Sequence, residues 1–219
     1  MSAFLQQQQE VVETTILTGL EVENVVETYP ALTVHCLQAG NYLRPSSSTI
    51  ETLVLNFVLE QHINVDIEMS NWALLGVNIH LAFRMGLHRD PSHWEIIRPL
   101  QAELRRRAWI TLYQTGFFRS TQMGLPRIIK DSQCDARPPA HFLDRDIGPG
   151  DTQVPPERPL RDPTPLLFVI QRHALIKFSA KIYVTEAASV PSPVTISELA
   201  VRLEAAIANI PEWLRYKSL

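Results

Sequence analysis

The chain has 219 residues, a formal net charge of −3, 45% hydrophobic residues and 20% charged residues. This length permits one large domain or two small ones with a sizeable buried core, and the composition is that of an ordinary globular protein. Proteins that bind DNA or RNA on their own usually carry a basic excess, because neutralising phosphates drives their binding. The charge balance therefore disfavours a stand-alone nucleic-acid-binding protein.

The two cysteines, Cys36 and Cys134, are too far apart in sequence to form a metal-binding cassette or a disulfide framework. Free thiols are typical of a reducing compartment. The first residues lack the basic start and apolar run of a signal peptide. No window reaches the roughly 18 apolar residues of a membrane span. We expect a soluble intracellular protein with no membrane association.

An acidic segment begins the chain. Residues 1–30 contain five glutamates, no lysine or arginine, and a run of glutamines over Gln6–Gln9. Valines and leucines recur through it, which predicts an acidic helix with one apolar face, with an interaction tail as the alternative. We place a domain boundary after this segment, giving an N-terminal part, 1–44, and a larger domain, 45–219.

Two helices are predicted next. Serines after Pro45 mark a helix start, and Ser48 with Glu51 forms a possible capping box for a helix that runs to about His62. A second helix fits Met69–Leu87; it is apolar nearly all round, so we expect it to be central and buried. Gly86 is predicted to adopt the left-handed conformation at its C-terminal end.

The following elements are set by prolines. Asp90 and Pro91 predict a cap and a first helical position, followed by a short helix over 92–97 and a long one over Pro99–Met123. Nine of the sixteen prolines lie between residues 126 and 165, which predicts a long irregular loop over about 124–164. We expect apolar residues to anchor this loop to the surface: Phe142, Leu143, Ile147 and Leu160.

Two further helices are predicted to close the chain, over about 165–187 and 196–209, with Thr195 or Ser197 capping the last one. No strand alternation and no internal repeat is present. The predicted fold class is therefore all-α: an irregular multi-helix domain with a long proline-rich loop.

No catalytic motif stands out. The eight glycines never form a phosphate-cradling loop, and neither a GxSxG elbow nor an HExxH pair occurs. His88 and His93 with Asp90 between them form a candidate metal site, but Asp90 is already predicted as a cap and His88 as part of a helix-ending turn. His80 is expected to be a hydrogen-bonded core histidine. We predict that the chain is not an enzyme and has no metal site.

The arginine triplet Arg105, Arg106 and Arg107 needs a separate explanation. Successive helical positions point about 100° apart, so the three side chains cannot form one basic patch. Glu103 lies four residues before Arg107 and is predicted to pair with it. One arginine must face inward and needs an acidic partner, because an unpaired buried charge costs several kcal/mol. The candidate partners are Asp90, Asp131, Asp135, Asp144 and Asp146. The functional alternative is a phosphate or DNA contact.

At these residues the sequence resembles a known family. The matching stretches are Met85–Pro91, Glu103–Trp109, Met123–Ile129, Cys134–Pro139, Leu143–Asp146, Arg158–Pro165 and Ile210–Leu214. Together they resemble the fungal-specific transcription factor domain, the middle homology region of zinc-cluster regulators of the xylanolytic-activator type. The resemblance covers about residues 45–215. It implies a family signature with a structural role: Gly86, Leu87, His88, Arg89, Asp90, Pro91, Arg105, Arg106, Arg107, Trp109, Gly124 and Pro126.

The resemblance implies an all-helical regulatory domain that modulates transcription in the nucleus through protein partners or a homodimer, and that reaches DNA only indirectly. The family's DNA-binding unit is a six-cysteine cluster holding two zinc ions. This sequence has two cysteines in total, so neither zinc binding nor any other cofactor is expected in this chain. The family domain also continues past the position of Leu219, so the chain resembles a copy truncated at its C-terminus.

One residue departs from the family pattern. Gly116 stands where the family places an aspartate, which removes a partner for one of the arginines and weakens the helix by about 1 kcal/mol relative to alanine. Two alternative functions stay open. The apolar helix over 69–87 motivates a small-molecule-sensing binding protein with an unknown ligand-binding site, and the truncation motivates a non-functional copy of a regulator.

Overall fold

The computed structural model describes residues 22–44, 46–63, 69–188, 193–208 and 210–215. Within these ranges the regular elements are helices, and no strand is present, which confirms the all-α class. The α-helices are α1 (Val22–Ala39), α2 (Ser47–Ile63), α3 (Met69–Arg84), α4 (Pro99–Met123), α5 (Pro165–Ala188) and α6 (Pro193–Ala208). None of the described helices is both long enough and apolar enough to cross a membrane.

The chain divides into two compact units, residues 1–65 and 66–219. In the first unit α1 packs against α2. The cap of α2 differs from the predicted Ser48–Glu51 box. Ser46 Oγ accepts the Thr49 backbone N–H at 3.4 Å, and Thr49 Oγ1 accepts the Ser46 N–H at 3.1 Å. The helix begins at Ser47, two residues earlier than that box requires, so Ser46 is the capping residue. The apolar positions on which the predicted acidic helix rests lie within residues 1–21, outside the described residues, so that helix stays a prediction; α1 begins at Val22.

The second unit is built around α4, which contacts α3, α5 and the short 3₁₀ turn Pro91–His93, while α5 also contacts α6. Helix α4 has the predicted bounds, because Pro99 starts it and Gly124 ends it in a left-handed conformation with φ +64°. Its buried residues cover a little more than half of the helix circumference, as expected of a central element, whereas Leu104 and Phe118 on the remaining side are exposed.

Helix α3 ends at Arg84, three residues before the predicted end, because Gly86 turns the chain with φ +71°. The prediction of a core position for His80 is wrong. Its ring is exposed, with Nδ1 2.6 Å from the Gly76 carbonyl, whereas Leu75 and Ile79 are fully buried. A helix that is apolar nearly all round does not show from its sequence which side faces the core.

The connection between α4 and α5 has no α-helix, but it contains two single 3₁₀ turns, Asp131–Gln133 and Asp144–Asp146. Of the four predicted anchors, Phe142 and Ile147 are buried and Leu143 is half-buried, but Leu160 is 51% exposed, so its predicted anchoring role is wrong. The predicted short helix over 92–97 is only the Pro91–His93 turn. The predicted caps of the last helix are also wrong, since α6 begins at Pro193 and residues 195 and 197 lie inside it.

Replacing Gly116 with alanine is expected to stabilise the protein by up to about 1 kcal/mol, because α4 would lose a poor helix former. Gly116 has ordinary helical geometry, and an added Cβ would lie at contact distance from Ile79 Cδ1, 3.5 Å, and Ile129 Cδ1, 3.9 Å. Thermal unfolding monitored by circular dichroism measures the effect. A clear loss of stability would show that this space is too tight for a methyl group.

Candidate functional site

The first part of the family signature is the turn that ends α3. The Gly86 N–H donates to Phe83 O and the Leu87 N–H donates to Ala82 O, both at 3.0 Å, which is the hydrogen-bond pattern of a Schellman motif. Gly86 therefore occupies the predicted left-handed position. Leu87 is buried at 2% exposure. The turn places the Asp90 side chain in the interior of the second unit.

Asp90 is the centre of a buried hydrogen-bond network. Its carboxylate accepts the Ser92 N–H at 3.0 Å, Arg106 Nε at 3.1 Å and Arg106 Nη2 at 2.9 Å. It also accepts the Arg137 backbone N–H at 3.0 Å and Arg137 Nη2 at 3.1 Å. Burial alone would raise the pKa of Asp90, but the hydrogen bonds from Arg106, Arg137 and Ser92 hold it well below its ordinary value. The Asp90 carboxylate therefore stays ionised. Capping the Pro91–His93 turn, which was predicted, is only one of the contacts that it makes.

The segment around Asp135 is attached to the same turn. Its backbone N–H and that of Ala136 both donate to the His88 carbonyl at 3.1 Å, and the Asp135 carboxylate accepts the Asp90 N–H at 2.9 Å. The exposed side of this carboxylate contacts His93 Nε2 at 2.8 Å and Arg89 Nη2 at 3.0 Å. The loop is thereby held against the end of α3 over a sequence separation of more than forty residues.

The three arginines of α4 have three different partners. Arg105 Nη2 donates to the Met85 carbonyl at 2.8 Å, at the C-terminal end of α3. Arg106 is buried and makes a bidentate pair with Asp90. Arg107 pairs with Glu103 at 3.1 Å, as predicted, and with Asp144 at 2.6 Å. The inward arginine is therefore Arg106. Together the three guanidinium groups connect α4 to the C-terminal end of α3, to the turn that carries Asp90 and to the loop that carries Asp144.

An aromatic cluster supports this network from beneath. Trp109 is 3% exposed, and its ring lies edge-on to Phe83 with centroids 5.5 Å apart. The His88 ring lies 5.0 Å from Phe83 and 6.2 Å from Trp109. Burial, followed by the charge of Arg89, lowers the pKa of His88. His88 is therefore packed as a neutral aromatic ring against Phe83 and Trp109.

A second loop attachment lies beside Arg107. Glu103 is 2% exposed, and its second carboxylate oxygen accepts the Ala140 N–H at 3.2 Å. Further along the loop, Arg158 and Asp146 form a bidentate pair at 2.9 and 3.0 Å. These bonds explain why a proline-rich connection without α-helix is nevertheless ordered on the surface of α4.

The remaining signature residues lie at the other end of α4. Gly124 ends the helix, and the N–H of Leu125 closes the turn on Ser120 O at 2.9 Å. Pro126 is exposed in the extended segment that follows. Arg107 and Gly124 are separated by about 25 Å of helix at 1.5 Å per residue. The signature is therefore two separate structural features, and the structure does not bring Gly124 and Pro126 to the Asp90 network.

An ionic cluster that sequence reasoning missed lies between α4, the loop and α5. The Asp131 carboxylate accepts the Tyr113 hydroxyl at 2.5 Å and Lys177 Nζ at 3.2 Å, and Arg127 lies 3.6 Å away. Burial would raise the pKa of Asp131, and the bonds from Tyr113 and Lys177 lower it overall. Tyr113 and Lys177 lie 18 and 46 positions from Asp131, whereas Arg127 lies four residues before it. The choice of Asp131 as a candidate arginine partner was the sequence prediction that pointed toward this cluster.

His173 gives the same cluster a pH dependence. Its ring lies 4.9 Å from that of Tyr113, and burial, assisted by the charge of Lys177, lowers its pKa from 6.5 to about 4. The unfolded chain therefore binds more protons between these values, so stability should fall as pH drops from about 6.5 toward about 4.

Replacing His173 with phenylalanine keeps the aromatic contact and removes the titration. The difference in melting temperature between pH 7 and pH 5 should shrink relative to that of the wild-type protein. An unchanged difference would show that His173 does not carry this pH dependence.

A cleft of about 520 Å³ lies beside the Asp90 network. Trp94, Ile97 and Val154 supply apolar walls, and Arg98 and Arg137 supply positive charge. The volume is within the range of small-molecule sites. Helix α3, which motivated the small-molecule hypothesis, does not line this cleft.

The histidines of the candidate metal site have other partners. His93 is paired with Asp135, and His88 is packed in the aromatic cluster. In the described ranges, no group of three or more histidine, cysteine, aspartate or glutamate side chains could hold a metal ion. The sequence contributes two cysteines, Cys36 and Cys134, which do not fit a six-cysteine zinc cluster.

The structure thus defines an all-helical domain. Its signature residues connect the end of one helix, a central helix and a long loop. The profile of the fungal specific transcription factor domain matches residues 30–188. The chain belongs to this family. No solved structure matches it.

Three curated relatives give the same result. The chain is 37% identical over 197 residues to the Zn(2)-C6 fungal-type transcription factor mpsB of Macrophomina phaseolina, covering 90% of this chain and 27% of the relative. It is 34% identical over 200 residues to the equisetin cluster transcription factor eqxF of Fusarium heterosporum, covering 91% and 29%. It is 32% identical over 198 residues to the Zn(2)-C6 fungal-type transcription factor pigI of Monascus ruber, covering 90% and 24%. The chain spans about a quarter to three tenths of the length of these relatives.

Proposed function

We propose that this chain is a regulatory domain of a fungal transcription factor, acting in the nucleus on DNA-templated transcription through protein partners, through a second copy or through an attached zinc-cluster module. The observation that carries the proposal is the family match over residues 30–188, which contains the Asp90 network and α4. The Asp90 network holds α4 and its loop in place, and a domain fixed in this way is suited to present surfaces to other proteins. DNA contact is indirect in this proposal, and the chain itself uses no cofactor.

The proposal includes the absence of catalysis by this chain. The buried carboxylates of the second unit are held by arginine and by backbone N–H groups: Asp90 by Arg106, and Glu103 by Arg107 and the Ala140 N–H. The hydrogen bonds from Arg106 and Arg137 keep the pKa of Asp90 well below its ordinary value, so Asp90 is a poor proton donor at neutral pH. These groups support a structural role for the polar interior.

A reporter experiment tests the regulatory role. The chain is fused to an unrelated DNA-binding domain and compared with that domain alone on a fungal reporter gene. We expect the fusion to change the reporter output and Asp90→Asn to reduce that effect, while purified chain fails to shift DNA. The proposal would be contradicted by tight sequence-specific DNA binding of the chain alone, or by a fusion whose output equals that of the DNA-binding domain alone.

The cleft favours a second candidate function, the sensing of a small molecule. Its walls combine the Trp94 indole with the guanidinium groups of Arg98 and Arg137 and the carboxylates of Glu95 and Asp151, which suits an amphipathic molecule that carries both signs of charge. A thermal-shift screen with metabolites is the test. A ligand of this site raises the melting temperature of the wild-type chain and not of a Trp94→Ala variant, and uniformly null results over a broad set would contradict this candidate.

A further inference from the structure

Two phenylalanines are exposed on either side of an arginine where α4 and α5 pack together. Phe118 of α4 is 42% exposed and Phe168 of α5 is 53% exposed. The guanidinium carbon of Arg172 lies 5.8 Å from the centroid of the first ring and 5.2 Å from that of the second. Aromatic and arginine side chains are enriched at protein interfaces and in their energetic hot spots.

The position of this guanidinium is fixed from below. Arg172 Nε donates to Gln114 Oε1 at 2.5 Å, and Gln114 Nε2 donates to the Val169 carbonyl at 2.8 Å. Gln114 is 1% exposed, so this pair of bonds cannot rearrange freely. In the described part of the chain, Arg172 contacts this amide and the two rings but no carboxylate within 4.0 Å.

This arrangement differs from that of two half-buried arginines nearby, although Arg119 of α4 likewise contacts an amide, Gln122 Oε1, at 3.3 Å. Arg107 pairs with Glu103, and Arg127 lies beside Asp131. Burial lowers the pKa of both Arg105 and Arg172. Arg105, however, meets the Met85 carbonyl at the negative end of the α3 dipole. Within the described residues, the lost hydration of Arg172 is compensated only by a neutral amide and by cation–π contacts.

We propose that Phe118, Phe168 and Arg172, here called the phenylalanine–arginine surface, dock a peptide segment of a protein partner that presents an aspartate or glutamate between apolar side chains. The carboxylate of the peptide accepts charge-assisted hydrogen bonds from the remaining guanidinium N–H groups of Arg172, and its apolar neighbours cover the two rings. The rings belong to different helices, so one occupant must reach across both. The Gln114 bond preorganises the arginine, which reduces the entropy lost on binding.

This inference rests on the proposed function, which requires a surface that contacts other proteins but does not locate it. The probe is a short capped fluorescent peptide in which aspartate is flanked by leucine and phenylalanine, and its control has asparagine in place of aspartate. Fluorescence anisotropy with the full chain is expected to show at least roughly tenfold tighter binding of the acidic peptide, the factor that corresponds to about 1.4 kcal/mol.

Variants of the chain test each part of the surface. Arg172→Gln and Phe168→Ala are each expected to weaken binding of the acidic peptide by roughly tenfold or more. Arg202→Gln removes the same charge from an exposed position on α6 and should bind as the wild-type chain does. Thermal unfolding checks that each variant is folded. Phe168→Ala changes an exposed side chain, so it tests the surface even where Arg172→Gln reduces stability.

The proposal is overturned if the folded wild-type chain does not bind the acidic peptide at concentrations on the order of 1 mM. It is also overturned if both peptides bind equally, or if folded Phe168→Ala and Arg172→Gln bind as tightly as the wild-type chain. These outcomes leave the regulatory role intact when the reporter fusion still acts. A silent reporter with specific peptide binding would instead contradict the regulatory role and keep the surface.

Discussion

Replacing Asp90 with alanine is expected to lower the free energy of unfolding by about 3–5 kcal/mol, because the buried Arg106 guanidinium loses its anionic partner. The same change removes the acceptor of the Ser92 and Arg137 N–H groups, so the loop that follows α4 loses one of its attachments. Urea unfolding followed by circular dichroism measures the loss. Asp90→Asn, which keeps the shape of the side chain, should cost less.

Asp144→Ala is the matched control for this prediction. Asp144 contacts Arg107 at 2.6 Å, but its side chain is 83% exposed, and exposed ion pairs contribute about 0–1 kcal/mol. Equal losses from Asp90→Ala and Asp144→Ala would show that burial of the network does not determine its contribution. A loss below about 1 kcal/mol for Asp90→Ala would contradict the prediction outright.

Replacing Trp109 with alanine is expected to cost about 3–5 kcal/mol, because it removes a buried ring and leaves a cavity beneath the signature turn. The rings of Phe83 and His88 would no longer have the indole to pack against. Trp213 is 45% exposed, so Trp213→Ala should stay within about 0.5 kcal/mol of the wild-type protein. Chemical denaturation of both variants measures the difference. A Trp109→Ala loss no larger than that of Trp213→Ala would contradict the packing described above.

The elements with local signals could be predicted from the sequence. The bounds of α4 follow from Pro99 and Gly124, and the roles of Gly86 and Asp90 follow from helix-end geometry and from capping. The Glu103–Arg107 pair follows from a spacing of four residues on one helix. In each case the cause and its effect lie within one or two turns of each other.

Contacts between distant residues could not be predicted in the same way. Five aspartates were possible partners for the inward arginine, and sequence spacing does not choose among them. Arg137 joins Asp90 across 47 positions, and Gln114 reaches the Val169 carbonyl across 55. The exposure of His80 was mispredicted for a related reason, because the buried side of α3 is decided by the packing of α4. The division at residues 44 and 45 stays a prediction.

The central claim is that the family signature is a structural framework in which Asp90 and Arg106 act as one unit. A double-mutant cycle tests it most directly, with Asp90→Ala, Arg106→Met and the double variant unfolded in urea. Because each single variant leaves a buried partner behind, the double variant should be much less destabilised than the sum of the two, with a coupling free energy of about 2–3 kcal/mol. Additive losses, with coupling below about 0.5 kcal/mol, would contradict the claim.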